Sequence, residues 1–260
     1  MSRTPDMFHN FRTRLRNGER LYGTMVTTPA PAVAEILADV GFDWLFIDGE
    51  HGALDIAQIL SILQAADDRI PCIVRVPVAD EVWIKRVLDL GAAGIVAPQV
   101  NTTETATAVV NAARYAPEGG RGVGLARAHG YGTGFREYMQ NANEQTTVIV
   151  QAEHAMGVAN IESIVAVPGI DAVLLGPYDL AASLGKMGDV NDPVVTEAID
   201  RVTTVCRTAE MPLGYFGITP EAVQPYVELG YNLIITATDT LFLSAAAEKT
   251  VRTLREMQPE

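Results

Sequence analysis

Residues 44–77 contain WLFIDGE (44–50), then DIAQILSILQAAD (55–67), then CIVRVP (72–77). The first and last of these runs are short and mostly apolar without regular polar alternation, which predicts strands buried on both faces, as in parallel sheets covered by helices. The middle segment has apolar residues three and four positions apart, which is typical of a helix that packs on such a sheet. This stretch therefore predicts a strand–helix–strand unit.

The same unit recurs along the whole chain. Several of the helical patterns end in Gly before the next strand, as helices often do. Eight such units in 260 residues predict a single-domain (β/α)₈ TIM barrel over residues 1–260, with a doubly wound open sheet as the alternative. The predicted strands are 21–28, 44–50, 72–77, 94–99, 147–153, 171–177, 212–217 and 232–239.

Two further helices are expected at the ends of this barrel. FHNFRTRLR (8–16) predicts an extra helix before the first strand that plugs or flanks the barrel. The last helix contains the small and apolar run LFLSAAA (241–247), so we expect it to pack against a neighbouring subunit.

Charge and composition exclude several classes of protein. Nineteen basic against thirty-two acidic residues give a net charge of −13, which disfavours nucleic-acid and membrane partners. The N-terminus has no apolar signal core, and no run approaches the ~20 apolar residues of a membrane helix, so we expect a soluble, cytoplasmic protein. The two cysteines, Cys72 and Cys206, are expected to be small buried side chains and not a disulfide.

In a TIM barrel the active site lies at the carboxyl ends of the strands, so polar residues at those ends are the candidates. The ionisable and amide side chains expected to converge at these strand ends are Asp48, Glu50, His51, Arg75, Gln151, Glu153, His154 and, just beyond strand six, Asp179. The remaining polar residues at strand ends are Thr27, Thr28, Gln99, Thr238 and Asp239.

Glu153 and Asp179 are the candidate metal ligands. Two carboxylates from adjacent strand ends can share one hard divalent cation and leave the rest of its octahedron for water and substrate. The alternative for Asp179 is that it caps the helix LAASLG that follows it. His154 is not included in the predicted metal site, because it is adjacent to Glu153 and adjacent residues on a strand point to opposite faces.

Arg75 and His51 are the candidate catalytic side chains. A guanidinium within IVRV is costly to bury unless an anion meets it; structural pairing with Asp48 or Glu50 is the alternative to a role beside a developing oxyanion. His51 lies among acids and is able to act as a base near neutral pH, although a hydrogen-bonding loop histidine fits equally well.

Other chemistries lack their sequence motifs. The chain contains no G-x-x-x-x-G-K-[ST], no G-x-S-x-G, no HExxH and no G-x-G-x-x-G after a strand. A Schiff-base aldolase needs a lysine at a strand end, whereas Lys85, Lys186 and Lys249 all lie in helices or in loops beside them. Carbanion chemistry in this chain would therefore require the metal.

Five segments of the chain resemble successive motifs of the HpcH/HpaI aldolase family and occur in the same order, from about residue 20 to 240. They are WLFIDGEHGALD, IVRVP, YAPEGGRGVGLARA, VIVQAEHAMGVANIESI and DAVLLGPYDLAASLG. The resemblance implies a homohexameric barrel that uses Mg²⁺, Mn²⁺ or Co²⁺ to cleave or form 4-hydroxy-2-oxoacids through a pyruvate enolate. By position, it implies that Glu153 and Asp179 bind the metal, that Gln151 and the GPYD backbone (Gly176, Pro177, Tyr178, Asp179) bind substrate, that His51 accepts a proton and that Arg75 stabilises the transition state.

The family pairs its histidine with an acid, and that position matches Asp89 here. Asp89 falls near the end of the third predicted helix, at the end of the barrel opposite the site. Three explanations stay open. The predicted element positions are too coarse to place Asp89, or a neighbouring part of the assembly brings an acid to His51, or Asp48 of the same chain takes the place of Asp89. The family commonly has threonine at the position of His154 and varies at Tyr178, and both departures bear on substrate range.

The segment Pro117–Thr146 is long for a barrel loop and contains GGRGVG, Arg127 and a short predicted helix, FREYMQNAN. A lid or subunit-contact loop is favoured over a glycine-rich phosphate cradle, and Arg127 is a candidate contact for an acidic aldehyde.

Two rival functions stay open: an acyl-CoA lyase of the citrate/malyl lyase branch, and a non-catalytic barrel that serves as a binding protein.

Overall fold

Eight parallel strands close into a barrel in the order of the chain, and this confirms the predicted (β/α)₈ fold. The computed structural model describes residues 11–257. Each strand pairs with its neighbour in sequence, and β8 pairs with β1 to close the barrel. The strands are β1 Leu21–Val26, β2 Trp44–Asp48, β3 Cys72–Arg75, β4 Gly94–Ala97, β5 Thr147–Ala152, β6 Ala172–Leu175, β7 Leu213–Gly217 and β8 Leu233–Thr238.

Helices alternate with these strands, largely where the apolar periodicity predicts them. The segment after β5 differs, because it forms two short helices where the sequence predicts one. The helices are α1 Phe11–Arg16, α2 Pro31–Asp39, α3 Ile56–Ala66, α4 Glu81–Asp89, α5 Thr103–Ala113, α6 Phe135–Gln145, α7 Ala155–Ala159, α8 Ile161–Val165, α9 Pro177–Ser183, α10 Pro193–Thr208, α11 Pro220–Glu228 and α12 Asp239–Glu256.

The barrel has two apolar layers, as its strand pattern requires. Inward-facing residues such as Trp44 and Phe46 fill the barrel, and a larger cluster fills the space between strands and helices. The predicted N-terminal helix is confirmed for Phe11–Arg16, while residues 8–10 lie outside the described part of the chain. Phe11 packs on Trp44 with ring centroids 5.7 Å apart, so α1 plugs the amino end of the barrel.

The strand predictions extend past most observed carboxyl ends because the polar residues there belong to loops. The loop after β2 shows how such a loop ends. Asp55 caps α3 by accepting hydrogen bonds from the backbone N–H groups of Ala57 (2.8 Å) and Gln58 (2.9 Å). Gln58 in turn accepts from the N–H of Asp55 at 2.6 Å, which completes a capping box. The stretch Gly49–Leu54 is therefore held between two fixed elements at the rim.

The long segment Pro117–Thr146 lies at the amino end of the barrel, because it follows α5 and precedes β5. It contains the predicted helix, α6, and a 3₁₀ turn at Arg127–Gly132. A Cβ at Gly119 would come within 2.5 Å of the carbonyl oxygen of Arg114, so this glycine allows close backbone packing. Within one chain this segment is neither a lid over the carboxyl-end rim nor a phosphate cradle there.

Both cysteines are buried and unpaired, as predicted. Cys72 begins β3 and Cys206 lies within α10. Between residues 11 and 257, no helix is both long enough and apolar enough to cross a membrane.

Candidate active site

A cavity of about 420 Å³ opens at the carboxyl end of the barrel. Strands β1, β2, β3, β5, β6 and β7 and the loops that follow them supply its wall. The lining residues are Met25, Thr27, Phe46, Asp48, His51, Arg75, Gln151, Leu174, Leu175, Gly176, Pro177, Tyr178, Asp179 and Phe216. Most of the side chains singled out from the sequence therefore meet in one cavity.

Arg75 is fixed in this wall by two carboxylates. Asp48 and Arg75 are direct neighbours in the β2–β3 register. The guanidinium donates to Asp48 through Nε at 2.9 Å and Nη2 at 2.8 Å, and Nη1 lies 3.2 Å from Glu50. Burial alone would lower the pKa of Arg75, but the hydrogen bonds and charge of Asp48 and the charge of Glu50 raise it overall. Arg75 therefore carries a permanent charge in a defined orientation.

The turn after β2 places Glu50 and His51 beside this pair. Asp48 Oδ1 accepts hydrogen bonds from the backbone N–H groups of Glu50 (3.1 Å) and His51 (3.2 Å). Glu50 Oε2 lies 3.8 Å from Nε2 of the largely exposed His51 ring. Burial raises the pKa of Glu50, although the charges of Arg75 and His51 oppose that rise. Its buried Oε2 atom has no hydrogen-bond partner among the described residues.

Glu153 follows β5 and is almost fully buried. Its carboxylate accepts a hydrogen bond from the backbone N–H of Gln99 at 2.7 Å and another from Gln151 Nε2 at 2.5 Å. Burial raises the pKa of Glu153 to about 7, and the nearby charges of Glu50 and Asp179 add to the effect. Glu153 is thus hydrogen-bonded to Gln151 and close to Glu50 and Asp179. Its burial and these two carboxylates disfavour its ionised form.

Asp179 lies in the first turn of α9 and not at the N-cap, so the capping alternative is wrong. The N-cap is Gly176, and Pro177 is the first helical residue. A Cβ at Gly176 would come within 2.9 Å of Glu153 Cβ and 3.0 Å of its Oε2. Only glycine lets the start of α9 approach Glu153 this closely, and Asp179 is thereby brought to the same side of the cavity.

This donor set fits a hard divalent cation. Carboxylate oxygens are the preferred ligands of Mg²⁺, which is often held by one or two carboxylates with water and substrate completing its shell. Within residues 11–257 there is no cluster of three or more His, Cys, Asp or Glu suited to a metal. The predicted site uses two carboxylates, those of Glu153 and Asp179. A cation next to Glu153 would also favour the ionised carboxylate and so oppose the rise in pKa that burial and the neighbouring carboxylates cause. The unpartnered, buried Oε1 of Gln151 is a further acceptor at this position.

Two side chains considered for the site, Asp89 and Arg127, lie at the opposite, amino end of the barrel. Asp89 ends α4 at the amino end of the barrel, where it pairs with the buried Arg121 at 2.7 Å. Arg127 lies at the same end and donates to the carbonyl of Leu90 at 2.9 Å, so its predicted contact with an aldehyde is wrong for a single chain. Among the described residues, Glu50 is the acid that lies within 4 Å of the His51 ring, at 3.8 Å, while Asp48 is paired with Arg75.

His154 caps α7 through Nδ1, which accepts from the N–H of Met156 at 3.1 Å, and this agrees with leaving it out of the metal site.

The sequence analysis missed the apolar part of the cavity and one backbone donor. Met25, Phe46, Leu174 and Phe216 form an apolar wall, and Arg75 lies over the Phe46 ring at 5.3 Å. The period-two alternation of the strands carried this information, since all four residues face inward. Gln99, whose φ is +54°, donates its backbone N–H to Glu153, and no feature of the sequence marks that conformation.

Known proteins are similar to this chain along most of its length. The family model HpcH/HpaI aldolase/citrate lyase matches residues 22–246. The chain is 41% identical over 254 residues to a 4-hydroxy-2-oxovalerate aldolase of Novosphingobium aromaticivorans, covering 95% of each. It is 37% identical to a hydroxypyruvate/pyruvate aldolase of Pseudomonas aeruginosa, covering 96% of this chain and 91% of the relative.

A crystal structure of a family protein from Burkholderia cenocepacia J2315 superposes with a TM-score of 0.91 at 38% identity, covering 95% of this chain and 99% of the other. The chain therefore belongs to the HpcH/HpaI aldolase/citrate lyase family.

Proposed function

We propose that this protein is a divalent-metal-dependent aldolase, a carbon–carbon lyase that reversibly cleaves 4-hydroxy-2-oxoacids to pyruvate, or a close 2-oxoacid, and an aldehyde. The observation that carries the proposal is the buried Arg75, held by Asp48 and Glu50 at the same rim as the carboxylates of Glu153 and Asp179. The names of the aldolase relatives support the same reaction class.

Glu153 and Asp179 would hold the cation, which is Mg²⁺, Mn²⁺ or Co²⁺. When bound, such an ion supplies Lewis acidity that makes the methyl protons of a 2-oxoacid easier to remove. The carboxylate of the substrate would be received by backbone N–H groups at Tyr178 and Asp179, since N–H groups in the first turn of a helix lack intrahelical partners. Gln151 lines the cavity beside them and would fix the orientation of the 2-oxoacid.

Arg75 would stabilise the negative charge that develops on the 2-oxo oxygen as the C3–C4 bond breaks. The charge is already in position, because Asp48 accepts from two of its nitrogens. A preorganised charge in a partly buried site stabilises a transition state without the reorganisation that water would require. Lysine cannot reproduce this forked geometry, so arginine is required at position 75.

His51 would accept the proton of the 4-hydroxyl group during cleavage and return it during synthesis. Its ring borders the cavity and its side chain is 64% exposed, so it is accessible to an entering substrate. Asp89 is the acid that the family resemblance assigns to this histidine, and at the opposite end of the barrel it would have to come from another subunit. Within the described part of one chain, the Glu50 carboxylate lies 3.8 Å from the ring and would be its local partner.

The acceptor aldehyde would lie against the apolar wall formed by Met25, Phe46, Leu174 and Phe216. Tyr178, which is 43% exposed, lines the same cavity and would narrow it. A wall of this composition favours short aldehydes with an apolar end over charged ones, because burying an unpaired charge there would be costly.

The test is pyruvate release by protein that has been dialysed against a chelator and then loaded with Mn²⁺. We expect cleavage of 4-hydroxy-2-oxoacids, measured through reduction of the pyruvate by lactate dehydrogenase, and no cleavage without metal. Activity confined to 3-hydroxyacyl-CoA esters would indicate the citrate/malyl-type lyase instead. If neither substrate class is turned over under any metal condition, the barrel is a binding protein and the proposal is wrong.

A further inference from the structure

Thr27 is a polar residue in the wall of the cavity to which the proposed reaction gives no role. It follows β1 directly, and its neighbour Thr28 does not line the cavity. Both threonines are hydrogen-bonded to Asp239, a buried residue at the start of α12. The two threonines therefore share one structural partner, whereas only Thr27 borders the site.

The Asp239 carboxylate accepts four hydrogen bonds from these threonines. The hydroxyl groups of Thr27 and Thr28 donate to it at 2.7 Å and 2.6 Å, and their backbone N–H groups donate at 3.1 Å and 2.9 Å. Burial alone would raise the pKa of Asp239, but the hydrogen bonds from Thr28 and Thr27 lower it overall. Asp239 is therefore ionised at neutral pH, so it accepts hydrogen bonds and has no proton to donate.

The direction of these hydrogen bonds fixes what the Thr27 hydroxyl offers to a ligand. A hydroxyl group has one proton to donate and two lone pairs that accept. Because the proton of Thr27 is directed to Asp239, its oxygen can only accept a hydrogen bond from a molecule in the cavity. It would bind a substrate hydroxyl group. An oxo or carboxylate oxygen at the same place would meet a second acceptor and would be disfavoured.

Thr27 lies across the mouth of the barrel from the predicted metal ligands. The strands follow one another in chain order around the closed barrel, so β1 is opposite β5, which leads to Glu153. Thr27 is instead beside the turn after β2, because a Cβ at Gly52 would lie 3.2 Å from the Thr27 carbonyl oxygen. Gly52 directly follows His51 in the chain. Thr27 therefore lies on the His51 side of the cavity.

A substrate that spans the cavity presents different atoms to these two sides. A 4-hydroxy-2-oxoacid with its 2-oxoacid end at Glu153 and Asp179 and its 4-hydroxyl group at His51 would extend its next carbon, C5, toward Thr27. C5 of the acid becomes C2 of the aldehyde product. Met25, two residues before Thr27, also lines the cavity, so a short apolar group beyond C5 would lie against the apolar wall.

We propose that Thr27 determines substrate specificity by accepting a hydrogen bond from a hydroxyl group on C5 of the substrate. The preferred substrates are therefore 4,5-dihydroxy-2-oxoacids, and the preferred aldehydes are 2-hydroxyaldehydes with a short apolar end. Asp239 is a positioning residue, because it holds the Thr27 hydroxyl in the accepting orientation. The inference rests on the proposed aldolase reaction and adds the class of aldehyde that the reaction uses.

The test measures kcat/KM for cleavage of two substrates, 4,5-dihydroxy-2-oxohexanoate and 4-hydroxy-2-oxohexanoate, through release of pyruvate in the presence of Mn²⁺. The two differ only in the 5-hydroxyl group, so the ratio of their kcat/KM values cancels general effects on folding and metal binding. Thr27→Val should lower this ratio about tenfold relative to wild type, as expected for the loss of one hydrogen bond. Thr27→Ser keeps the hydroxyl group and should retain most of the wild-type ratio.

Thr28→Val is the matched control, because it removes a hydrogen bond to Asp239 of nearly the same length away from the cavity. It should leave the ratio of the two kcat/KM values unchanged. Thermal unfolding checks that the variants are folded. Thr27→Ala removes the same hydroxyl group with a smaller side chain and replaces Thr27→Val if that variant does not fold.

Two outcomes would overturn the inference while leaving the aldolase activity of the wild type intact. One is a ratio that is unchanged when the Thr27 hydroxyl is removed. The other is a ratio that falls equally in Thr27→Val and Thr28→Val, since the effect would then come from the shared contact with Asp239. If the wild type cleaves neither substrate, the proposed function is wrong and the inference fails with it.

Discussion

Replacing Glu153 by glutamine should stabilise the metal-free protein at alkaline pH while abolishing metal binding. Glu153 is buried, and burial together with Glu50 and Asp179 raises its pKa from 4.5 to about 7. Glutamine has nearly the same shape and no charge. Its oxygen can accept from the N–H of Gln99, and the side-chain amide of Gln151 can rotate to present its unpartnered oxygen to the new NH₂ group. The substitution therefore removes a buried charge and keeps one hydrogen bond to Gln99 and one between the side chains at 151 and 153.

The magnitude follows from the shift in pKa. A carboxyl group whose folded-state pKa is raised contributes stability that is fully present below its unfolded value, here 4.5, and is lost as pH rises through about 7. At pH 8 the cost of ionising Glu153 in the metal-free protein is roughly 3 kcal/mol, since each unit of pKa corresponds to about 1.4 kcal/mol. For a protein of this size, that cost is on the order of 6–12 °C in the midpoint of thermal unfolding.

The assay is thermal unfolding of wild type and Glu153→Gln in EDTA, at pH 5 and at pH 8. We expect similar midpoints at pH 5 and a higher midpoint for the variant at pH 8. Adding Mn²⁺ at pH 8 should raise the midpoint of the wild type alone, because a ligand stabilises the state that binds it. Glu137→Gln, a surface substitution at the amino end of the barrel that also removes one negative charge, serves as a control for the general effect of charge.

The reasoning would be refuted if the difference between wild type and Glu153→Gln did not grow between pH 5 and pH 8. That outcome would mean that Glu153 ionises in the folded protein at no cost. It would also be refuted if Mn²⁺ stabilised Glu153→Gln as much as the wild type, since the cation would then be held elsewhere.

Three further substitutions test other contacts in the site. Arg75→Lys keeps the charge but loses the two-nitrogen contact with Asp48, so we expect kcat/KM for cleavage to fall at least about a hundredfold in steady-state assays of folded protein. Glu50→Gln removes a charge near the proposed metal ligands without removing a ligand, and should raise the Kd for Mn²⁺ about five- to tenfold by titration calorimetry. Gly176→Ala places a methyl group within 2.9 Å of Glu153 Cβ, so its Mn²⁺ affinity should fall further than that of Glu50→Gln.

Most of the fold could be predicted from the sequence because it depends on local patterns. Eight apolar runs with helical segments between them specify a parallel barrel almost by themselves, and all eight strands form where predicted. The position of Pro117–Thr146 was not predicted, because the length of the segment favoured a lid or a subunit-contact loop, whereas its place between a helix and a strand puts it at the amino end of the barrel.

The site was predictable as a set of residues but not as a set of contacts. Position at strand ends was enough to bring Asp48, His51 and Arg75 into one cavity with the GPYD segment. The sequence could not decide which acid meets which base, because Asp48 and Glu50 both lie within a few residues of His51. Within one chain, strand register separates the two acids, since Asp48 is opposite Arg75 in β3, whereas Glu50 lies 3.8 Å from the histidine ring.

The central claim is that Glu153 and Asp179 hold a cation that allows this protein to remove a proton from the methyl group of a 2-oxoacid. It is tested most directly by hydrogen–deuterium exchange of the pyruvate methyl group in D₂O, followed by proton NMR, without any aldehyde. The Mg²⁺-loaded sample and the EDTA control are otherwise identical. We predict exchange for the wild type with Mg²⁺. We predict no exchange above background for the wild type in EDTA or for Glu153→Ala with Mg²⁺. Exchange that survives unchanged in EDTA and in Glu153→Ala would contradict the account.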